Sequence, residues 1–413
     1  MRAIVIIGDG MADRPIDELG YLTPLETAKP KNMDYLASNG VSGLLNPMSL
    51  GMTPGSAAAN LAILGYDLNE AHSGRGPYEA AGARIKMKNG EVAFRCNFAT
   101  VNHELRVVDE RAGRIREEID QMIEDLQNLY LGGSGAVRYT LKQTLGFKGV
   151  LVLHGERFSS NVSASMPKVG DKADSVRPLD YSSQAVETAR LLNEFIRKSF
   201  EVLREHPVNK KREKSGKPPA NVVIPWGGGE HVKLKPLSEK YGLQAACVAA
   251  ASLVKGIAQL VGMTVVNVPE ATGEVDTNTL AKAEAALKVL RNHDLVLIHV
   301  EGPDEASHDG DIAGKISIIR KIDSMIEMLQ KNASLRETCI ALLADHATST
   351  KLRRHLEDPA PVTIANAEIA PDGVMHYSER AAAHGRLGCF PSREFMPKLL
   401  NMMAGSETVR GLR

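Results

Sequence analysis

Three short, nearly continuous apolar runs stand out along the chain, at residues 3–7, 295–300 and 339–343. Runs without alternation are typical of strands that are buried on both faces of a parallel sheet. Each run is followed within a few residues by an acidic or histidine side chain. Because ligands bind in the crevice beyond the carboxyl ends of such strands, the pattern predicts that these side chains meet at one edge of a sheet.

At both ends of the chain, strand-like runs alternate with segments that have helical periodicity. Segment 312–330 places its isoleucines on one stripe, as a helix that covers a sheet does. Repeated strands and helices with short links predict an α/β fold with a doubly wound, mostly parallel sheet and helices on both faces. The predicted elements are strands 3–8, 264–268, 295–300 and 339–344 and helices 32–39, 57–64, 252–261, 279–291 and 312–330.

The middle of the chain has a different pattern. It contains the alternating segment 92–98 and amphipathic helical segments, the longest at 184–204, but none of the prominent aspartate or histidine candidates. Because those candidates come from both ends of the chain, the ends must fold together. We therefore predict a discontinuous metal-binding domain, 1–75 and 236–413, and a smaller inserted α/β domain, 76–235.

Charge is balanced, since the 413-residue chain has 50 basic and 50 acidic side chains. This balance argues against nucleic acid as the main partner. The basic, Pro- and Gly-containing stretch 207–219 is predicted to be an exposed, solvated loop rather than a binding site.

Neither a secretory leader nor a membrane span is expected. The first predicted strand begins at residue 3, and no apolar run is long enough to cross a bilayer, so we expect a cytoplasmic protein with no membrane partner. The sequence predicts no particular oligomeric state. The cysteines are widely spaced without a C-x-x-C pair, and we expect small buried thiols at Cys96, Cys247, Cys339 and Cys389.

The candidate ligands fall into two groups. Asp304 and His308 are spaced i, i+4, so in a helix both side chains face one way and can hold one ion, which His384 can complete. Asp345 and His346 are adjacent and diverge, which suits a position between two ions.

Asp9 is expected to join Asp345 and His346 from the neighbouring strand. Carboxylate and imidazole ligands without thiolates favour Mn, Zn or Mg. The alternative for each residue alone is ordinary: an aspartate that caps a helix or turn, or a histidine that is satisfied in the core or at the surface.

Ser56 is the candidate nucleophile. It follows Thr53-Pro54-Gly55 and occupies the predicted N-cap position of helix 57–64, where backbone amides point outward. A divalent ion activates a serine hydroxyl, and a helix N-terminus stabilises the phosphate that the hydroxyl receives. Thr53 is a competing nucleophile, and a plain N-cap serine is the structural alternative.

With these residues in view, the whole chain resembles the archaeal-type cofactor-independent phosphoglycerate mutases of the alkaline phosphatase superfamily. The matching segments follow one another from end to end of the chain and are residues 7–13, 53–56, 74–80, 94–97, 109–115, 269–276, 299–311, 345–348 and 384–386.

The resemblance implies an alkaline-phosphatase-like fold and interconversion of 3-phosphoglycerate and 2-phosphoglycerate through a phosphoserine at Ser56. We expect two divalent ions (Mn, Zn, Mg or Co, with Mn favoured) and no organic cofactor. The implied ligands are Asp304, His308 and His384 for one ion and Asp9, Ser56, Asp345 and His346 for the other. The implied substrate-binding residues are Arg75, Arg95, Arg111, Arg114 and Lys255.

The inserted domain is expected to close as a lid over hinges near Gly76 and Lys235, which would keep glycerate in and water out. Two departures from the family pattern fall in this domain. Segment 163–167 replaces an acidic, histidine-containing stretch, and Trp226 replaces an arginine. Two alternatives therefore stay open: a metal-dependent phosphomonoesterase or a mutase for another small phosphorylated metabolite, and a non-catalytic metal- or ligand-binding protein.

Overall fold

The computed structural model describes residues 1–46, 55–71, 73–132 and 137–404. Among them, the chain divides into two compact units: the first comprises 1–71 and 234–413, and the second comprises 72–233. The corresponding predicted boundaries are 75/76 and 235/236.

The strands in the described residues are β1 (Arg2–Gly8), β2 (Gly40–Asn46), β3 (Val92–Val101), β4 (Val107–Asp109), β5 (Tyr139–Leu145), β6 (Lys148–Leu153), β7 (Val222–Glu230), β8 (Ala245–Val248), β9 (Thr264–Val266), β10 (Leu295–Val300), β11 (Thr338–Leu343), β12 (Ala347–Ser349), β13 (Arg354–Leu356), β14 (Ala360–Ala365) and β15 (Gly388–Pro391).

The α-helices are α1 (Pro24–Ala28), α2 (Lys31–Ser38), α3 (Ser56–Ile63), α4 (Leu68–Ala71), α5 (Gly76–Gly82), α6 (Ile119–Leu126), α7 (Ser183–Leu203), α8 (Pro207–Lys214), α9 (Leu237–Tyr241), α10 (Ser252–Leu260), α11 (Thr279–Leu290), α12 (Gly302–Asp309), α13 (Ile312–Asn332), α14 (Glu379–Ala382) and α15 (Phe395–Met403). Short 3₁₀ turns lie at Asp17–Leu19, Ala112–Arg114 and Ser392–Glu394.

The first unit is built on an eight-stranded sheet with the order β15-β2-β14-β11-β1-β10-β8-β9. The pairs of β1 with β10 and β11, of β10 with β8, and of β8 with β9 are parallel. The predicted α/β class with a mostly parallel sheet is confirmed, and the three apolar runs form its three central strands, β10, β1 and β11. Strand β14 runs antiparallel to both of its neighbours.

The core of the first unit lies between this sheet and its covering helices. Ile4 and Ile6 of β1 belong to the same buried cluster as Ile319, Ile322 and other apolar residues of α13. The isoleucine stripe of α13 therefore packs on the sheet, as its periodicity predicts.

The second unit has a separate, largely antiparallel sheet in the order β4-β3-β6-β5, with β7 also paired to β3. Its core contains Phe94 and Phe98 of β3 together with Leu192 and Phe195 of α7.

Two expectations about local features are wrong. The basic stretch 207–219 is not a loop throughout, because α8 forms over Pro207–Lys214. Pro207 occupies the first turn, the His206 ring accepts a hydrogen bond from the Val208 amide, and basic residues in the last turn complement the helix dipole.

Cys389 is exposed, whereas the other cysteines are buried. It lies on β15, an edge strand that pairs only with β2 among the described strands. Among the described residues, no helix combines the length and the apolar character that crossing a membrane requires.

Candidate metal centre

The three central strands end at the same level, and this brings their following residues together. In the parallel register, Ile7 of β1 lies opposite His299 of β10 and Leu343 of β11. Asp9 directly follows β1, and Asp345 and His346 follow β11 within a few residues.

Asp9, Asp345 and His346 form a buried group, the Asp9 cluster, in which one ligand atom from each residue lies within 4.8 Å of the others. His346 Nε2 is 3.2 Å from Asp9 Oδ1 and 3.8 Å from Asp345 Oδ2. Asp345 Oδ1 accepts hydrogen bonds from the backbone amides of Gly10 and His346, which fixes the orientation of the carboxylate.

A second group, the Asp304 cluster, consists of Asp304, His346 and His355, whose ligand atoms also lie within 4.8 Å of one another. His308 adjoins it: its Nε2 is 3.4 Å from Asp304 Oδ2 and 3.1 Å from His355 Nε2. Residues 304 and 308 both lie on α12, as the i, i+4 spacing predicts.

Opposing effects act on the pKa values in the Asp304 cluster. Burial acts to raise the pKa of Asp304, but His355 and His308 hold it well below its usual range. Burial acts to lower the pKa of His308, yet the Asp304 carboxylate raises it overall. The aspartate is therefore ionised at neutral pH and available as a ligand.

His299 lies behind the Asp9 cluster, with its Nε2 3.5 Å from Asp9 Oδ2. Burial lowers the pKa of His299 to about 4, so the imidazole is neutral at physiological pH. It therefore contributes no positive charge beside the carboxylates.

His384 was among the predicted ligands, and His355 was not. His355 is on β13, where it pairs with Thr348 of β12 and is carried to the Asp304 cluster by this short hairpin. His384 follows α14, has an exposed side chain, and belongs to neither cluster among the described residues. The ligands were predicted mainly among residues that follow apolar runs. His355 was not considered, because β13 is short and largely polar.

The donors fit a divalent cation. His346 Nε2 is buried and makes no hydrogen bond within the described residues, although carboxylate oxygens surround it. Three buried carboxylates, Asp9, Asp304 and Asp345, lie around this one imidazole. Such a concentration of negative charge is stabilised by bound cations, and oxygen and imidazole donors suit Mn, Zn or Mg.

Ser56 is the first residue of α3, and Gly55 rather than Ser56 occupies the N-cap position. The side chain of Asn60, one turn later, donates to the Ser56 carbonyl at 2.8 Å and to Asp345 Oδ2 at 3.1 Å. The first turn of α3 is therefore attached to the Asp9 cluster. The competing Thr53 lies outside the described residues.

The second unit contains a compact group of charged and aromatic side chains, the Arg75–Arg95 group. Glu79 accepts from Arg75 Nε at 3.0 Å and from Arg95 Nη1 at 3.2 Å. Both guanidinium carbons lie over the Trp226 ring, at 5.6 and 5.0 Å from its centroid. Burial acts to raise the pKa of Glu79, but Arg95 and Arg75 lower it overall.

Trp226 is itself fixed, because its Nε1 donates to Asn97 Oδ1 at 3.0 Å. The next amide, that of Gly227, donates to the Ala164 carbonyl at 3.0 Å. The two segments that depart from the family pattern, 163–167 and Trp226, are therefore neighbours.

The other predicted substrate residues belong to other elements. Arg111 precedes and Arg114 ends the 3₁₀ turn after β4, and both are half-buried. The Asp109 carboxylate accepts from the Arg111 and Gly113 amides. Lys255 lies on α10 in the first unit, and its charge acts with burial, the larger cause, to lower the pKa of Lys282 to about 8.

The similarity to known proteins covers almost the whole chain. Residues 37–209 match the family profile described as 2,3-bisphosphoglycerate-independent phosphoglycerate mutase. A protein of that name from Methanopyrus kandleri is 45% identical over 399 residues, which is 94% of this chain and 93% of the relative.

Two solved structures are also similar. A Pyrococcus horikoshii protein has a TM-score of 0.80 and 34% identity, with coverage of 98% of this chain and 97% of that one. The cofactor-independent phosphoglycerate mutase from Thermoplasma acidophilum has a TM-score of 0.61 and 28% identity, with coverage of 97% and 99%.

Proposed function

This chain belongs to the 2,3-bisphosphoglycerate-independent phosphoglycerate mutase family, and on that premise we infer that it interconverts 3-phosphoglycerate and 2-phosphoglycerate. The observation that carries the inference is the attachment of Ser56 to Asp345 through Asn60, which places the candidate nucleophile's helix beside the Asp9 cluster.

We propose two divalent ions, with Mn favoured. Asp9, Asp345, His346 and Ser56 would hold one, and Asp304, His308 and His355 would hold the other. When bound, such ions lower the pKa of a coordinated hydroxyl and neutralise charge on a phosphoryl group. His384, which the resemblance implied as a ligand, is replaced in this proposal by His355.

Ser56 is the residue that carries the phosphoryl group. Its hydroxyl oxygen attacks the phosphorus of 3-phosphoglycerate and gives up a proton, while the bond from phosphorus to the glycerate 3-oxygen breaks and that oxygen takes up a proton. The glycerate 2-hydroxyl then attacks the phosphoserine, and Ser56 is regenerated. The amides at the N-terminus of α3 favour the negative phosphate on Ser56.

Arg75 and Arg95 are proposed to bind an anionic group of the substrate. Two guanidinium groups share one carboxylate, Glu79, and the charge of Lys148 also acts on that carboxylate. Guanidinium forks pair bidentately with carboxylates and phosphates, so the two arginines offer donors of the kind that a substrate anion requires. The role of Arg111, Arg114 and Lys255 in substrate binding stays a prediction.

An assay coupled to enolase tests the proposal directly. Purified protein with Mn should form 2-phosphoglycerate from 3-phosphoglycerate, and Ser56→Ala should reduce the rate to the assay background. Ser199→Ala is a matched control, since Ser199 is a fully buried serine of α7 in the second unit. Repeating the assay with Mn, Co, Zn and Mg identifies the preferred cation.

The second candidate is a phosphomonoesterase, or a mutase for another small phosphorylated metabolite. Trp226 favours this alternative. Its ring lies against the guanidinium groups of Arg75 and Arg95, and an aromatic ring in place of an arginine changes which substrate groups fit beside them. Release of inorganic phosphate without 2-phosphoglycerate would favour the phosphatase. Faster turnover of another phosphoester would favour the other mutase.

A further inference from the structure

The side-chain hydroxyl of Thr348 contacts two residues of the Asp304 cluster. Thr348 lies on β12, is fully buried, and is the partner of His355 in the β12–β13 pair. Its hydroxyl is 2.7 Å from Asp304 Oδ1 and 3.1 Å from His346 Nδ1. Thr348 thus has a direct link to each of the three members of the Asp304 cluster.

The backbone of Thr348 is held from two sides. Its amide donates to the Ala12 carbonyl at 3.0 Å, and its carbonyl accepts from Lys315 Nζ at 2.8 Å. Lys315 is itself fully buried and also donates to Asp13 Oδ2 at 3.1 Å. These contacts fix the position of the Thr348 backbone, from which the hydroxyl reaches Asp304 and His346.

The space around the hydroxyl is also fixed. A Cβ atom at Gly10 would lie 2.5 Å from Thr348 Oγ1 and 2.6 Å from Asp304 Oδ1, both too close for an ordinary contact. Gly10 has a φ of +57°, a conformation that glycine adopts without strain. The loop after β1 can therefore pack directly against the hydrogen bond between Thr348 and Asp304.

The proton count at Thr348 determines the tautomer of His346. The hydroxyl has one proton, and a carboxylate can only accept, so this proton is donated to Asp304 Oδ1. The hydroxyl oxygen must then accept from His346 Nδ1, which places the imidazole proton on Nδ1. Nε2 is left with a lone pair, and it is this atom that faces Asp9 Oδ1 at 3.2 Å.

We propose that Thr348 is a positioning residue whose hydroxyl fixes His346 as a ligand through Nε2 and orients the Asp304 carboxylate, so that both cation sites depend on it. The inference rests on the proposed function for the identity of the two sites. Thr348 acts through His346 and Asp304 and does not contact the substrate.

The first test uses the metal-free wild-type protein with ¹⁵N-labelled histidine. Long-range ¹H–¹⁵N spectra report which ring nitrogen carries the proton, and the His346 signals are those missing from His346→Gln. For the neutral imidazole, we expect a proton on Nδ1 and none on Nε2, as the hydrogen bonds of Thr348 require. A proton on Nε2 would overturn the proposal without any Thr348 variant.

The second test measures Mn binding by titration calorimetry. Thr348→Val keeps the shape of the side chain but removes the hydroxyl, and it should weaken both sites by about 10- to 100-fold, the usual effect of losing an outer-sphere partner. Thr348→Ser should restore the affinity and the Nδ1 tautomer. Thr363→Val is the matched control, because that fully buried threonine bonds Ser42 at 2.7 Å in the same unit.

The outcomes are distinct. Wild-type affinity in Thr348→Val, or a loss confined to one site, would overturn the proposal. If Thr348→Val has no cooperative thermal transition, the serine variant and the wild-type tautomer decide. Mn binding and the Nδ1 tautomer without mutase turnover would overturn the proposed function and leave this inference intact.

Discussion

At the residue scale, the choice between His355 and His384 determines the composition of the Asp304 cluster. Both are histidines of the first unit, His355 on the short strand β13 and His384 just after the short helix α14, but of these two only the ring of His355 lies with Asp304 and His346. Its ring centroid is 4.2 Å from that of His346. This geometry supports the proposal of His355, in place of His384, as a direct ligand.

The two histidines provide a matched pair of variants. We expect His355→Ala to reduce Mn affinity by more than the 10- to 100-fold that loss of an outer-sphere partner costs, and to reduce mutase activity with it. His384→Ala should retain both within about threefold. Calorimetry and the coupled assay measure the two effects, and the reverse ranking would contradict this ligand assignment.

Glu379 is a second residue whose environment has a measurable consequence. Its carboxylate accepts from the Asp13 amide at 2.9 Å and from Thr23 Oγ1 at 2.8 Å. Burial nevertheless raises the pKa of Glu379 from 4.5 to about 7. A carboxyl whose pKa is raised on folding stabilises the fold fully below the unfolded pKa, and that contribution is lost as pH rises through the folded value.

Glu379→Gln should therefore flatten the pH dependence of stability. Between about pH 4.5 and pH 8, the wild-type free energy of unfolding should fall relative to the variant by up to about 3 kcal/mol. Urea unfolding of the metal-free proteins across this range measures the difference. If the difference in free energy of unfolding between wild type and Glu379→Gln stays constant with pH, or if rising pH favours the wild type, the raised pKa of Glu379 would be contradicted.

At the element scale, helix α13 is fixed to the site at its first turn. Asp311 caps it by accepting from the Gly314 amide, and Lys315 reaches Asp13 and the Ala12 and Thr348 carbonyls. Lys331, near the other end of the same helix, makes only an exposed i, i+4 pair with Glu327 among its described contacts.

These two lysines should differ strongly in their contribution to stability. Lys315→Met leaves Asp13 without its buried cationic partner and should lower the free energy of unfolding by about 3–5 kcal/mol. Lys331→Met removes a solvent-screened pair and should change it by less than about 1 kcal/mol. Urea unfolding in the presence of a chelator measures both, and equal losses would contradict this view of α13.

The elements also show what the sequence could predict. Asp9, Asp345 and His346 were found because each follows a continuous apolar run, and a parallel sheet aligns the ends of such runs. Asp304 and His308 were found from their helical spacing. His355 was not predicted, because its position near Asp304 results from the pairing of β12 with β13. A three-residue strand such as β13 is too short to show a periodic pattern in the sequence.

The antiparallel strand β14 was missed for a related reason. Ala360 and Pro361 at its start weaken the strand pattern, and one of its two partners, β2, is far away in sequence. The isoleucine stripe of α13 was a stronger signal, because a long helix repeats its pattern over many turns. Thr348 carried no signal, since its role depends only on distances to Asp304 and His346.

At the scale of the whole molecule, the chain passes from the first unit to the second after residue 71 and returns after residue 233. Each unit has its own contact between the two segments that lie next to these positions. Within the first unit, Tyr66 Oη donates to the Lys235 carbonyl at 2.5 Å. Within the second, Ser73 Oγ donates to the Glu230 carbonyl at 2.9 Å. In each unit, the segments that enter and leave are therefore adjacent.

This adjacency predicts that the second unit can be removed. A chain in which residues 72–233 are replaced by a short Gly/Ser linker should fold cooperatively and bind two Mn ions, because every proposed ligand is in the first unit. It should have no mutase activity, since Arg75 and Arg95 are absent. Calorimetry and the coupled assay test this, and loss of Mn binding in a folded variant would contradict it.

The phosphoryl group on Ser56 is the central claim, and rapid-quench mass spectrometry tests it most directly. Protein with Mn is mixed with 3-phosphoglycerate, quenched in acid within one turnover and digested. We predict one added phosphoryl group on the peptide containing Ser56, together with formation of 2-phosphoglycerate, and neither in Ser56→Ala. Formation of 2-phosphoglycerate with an unmodified Ser56 peptide, or with the phosphoryl group on another residue, would contradict the account.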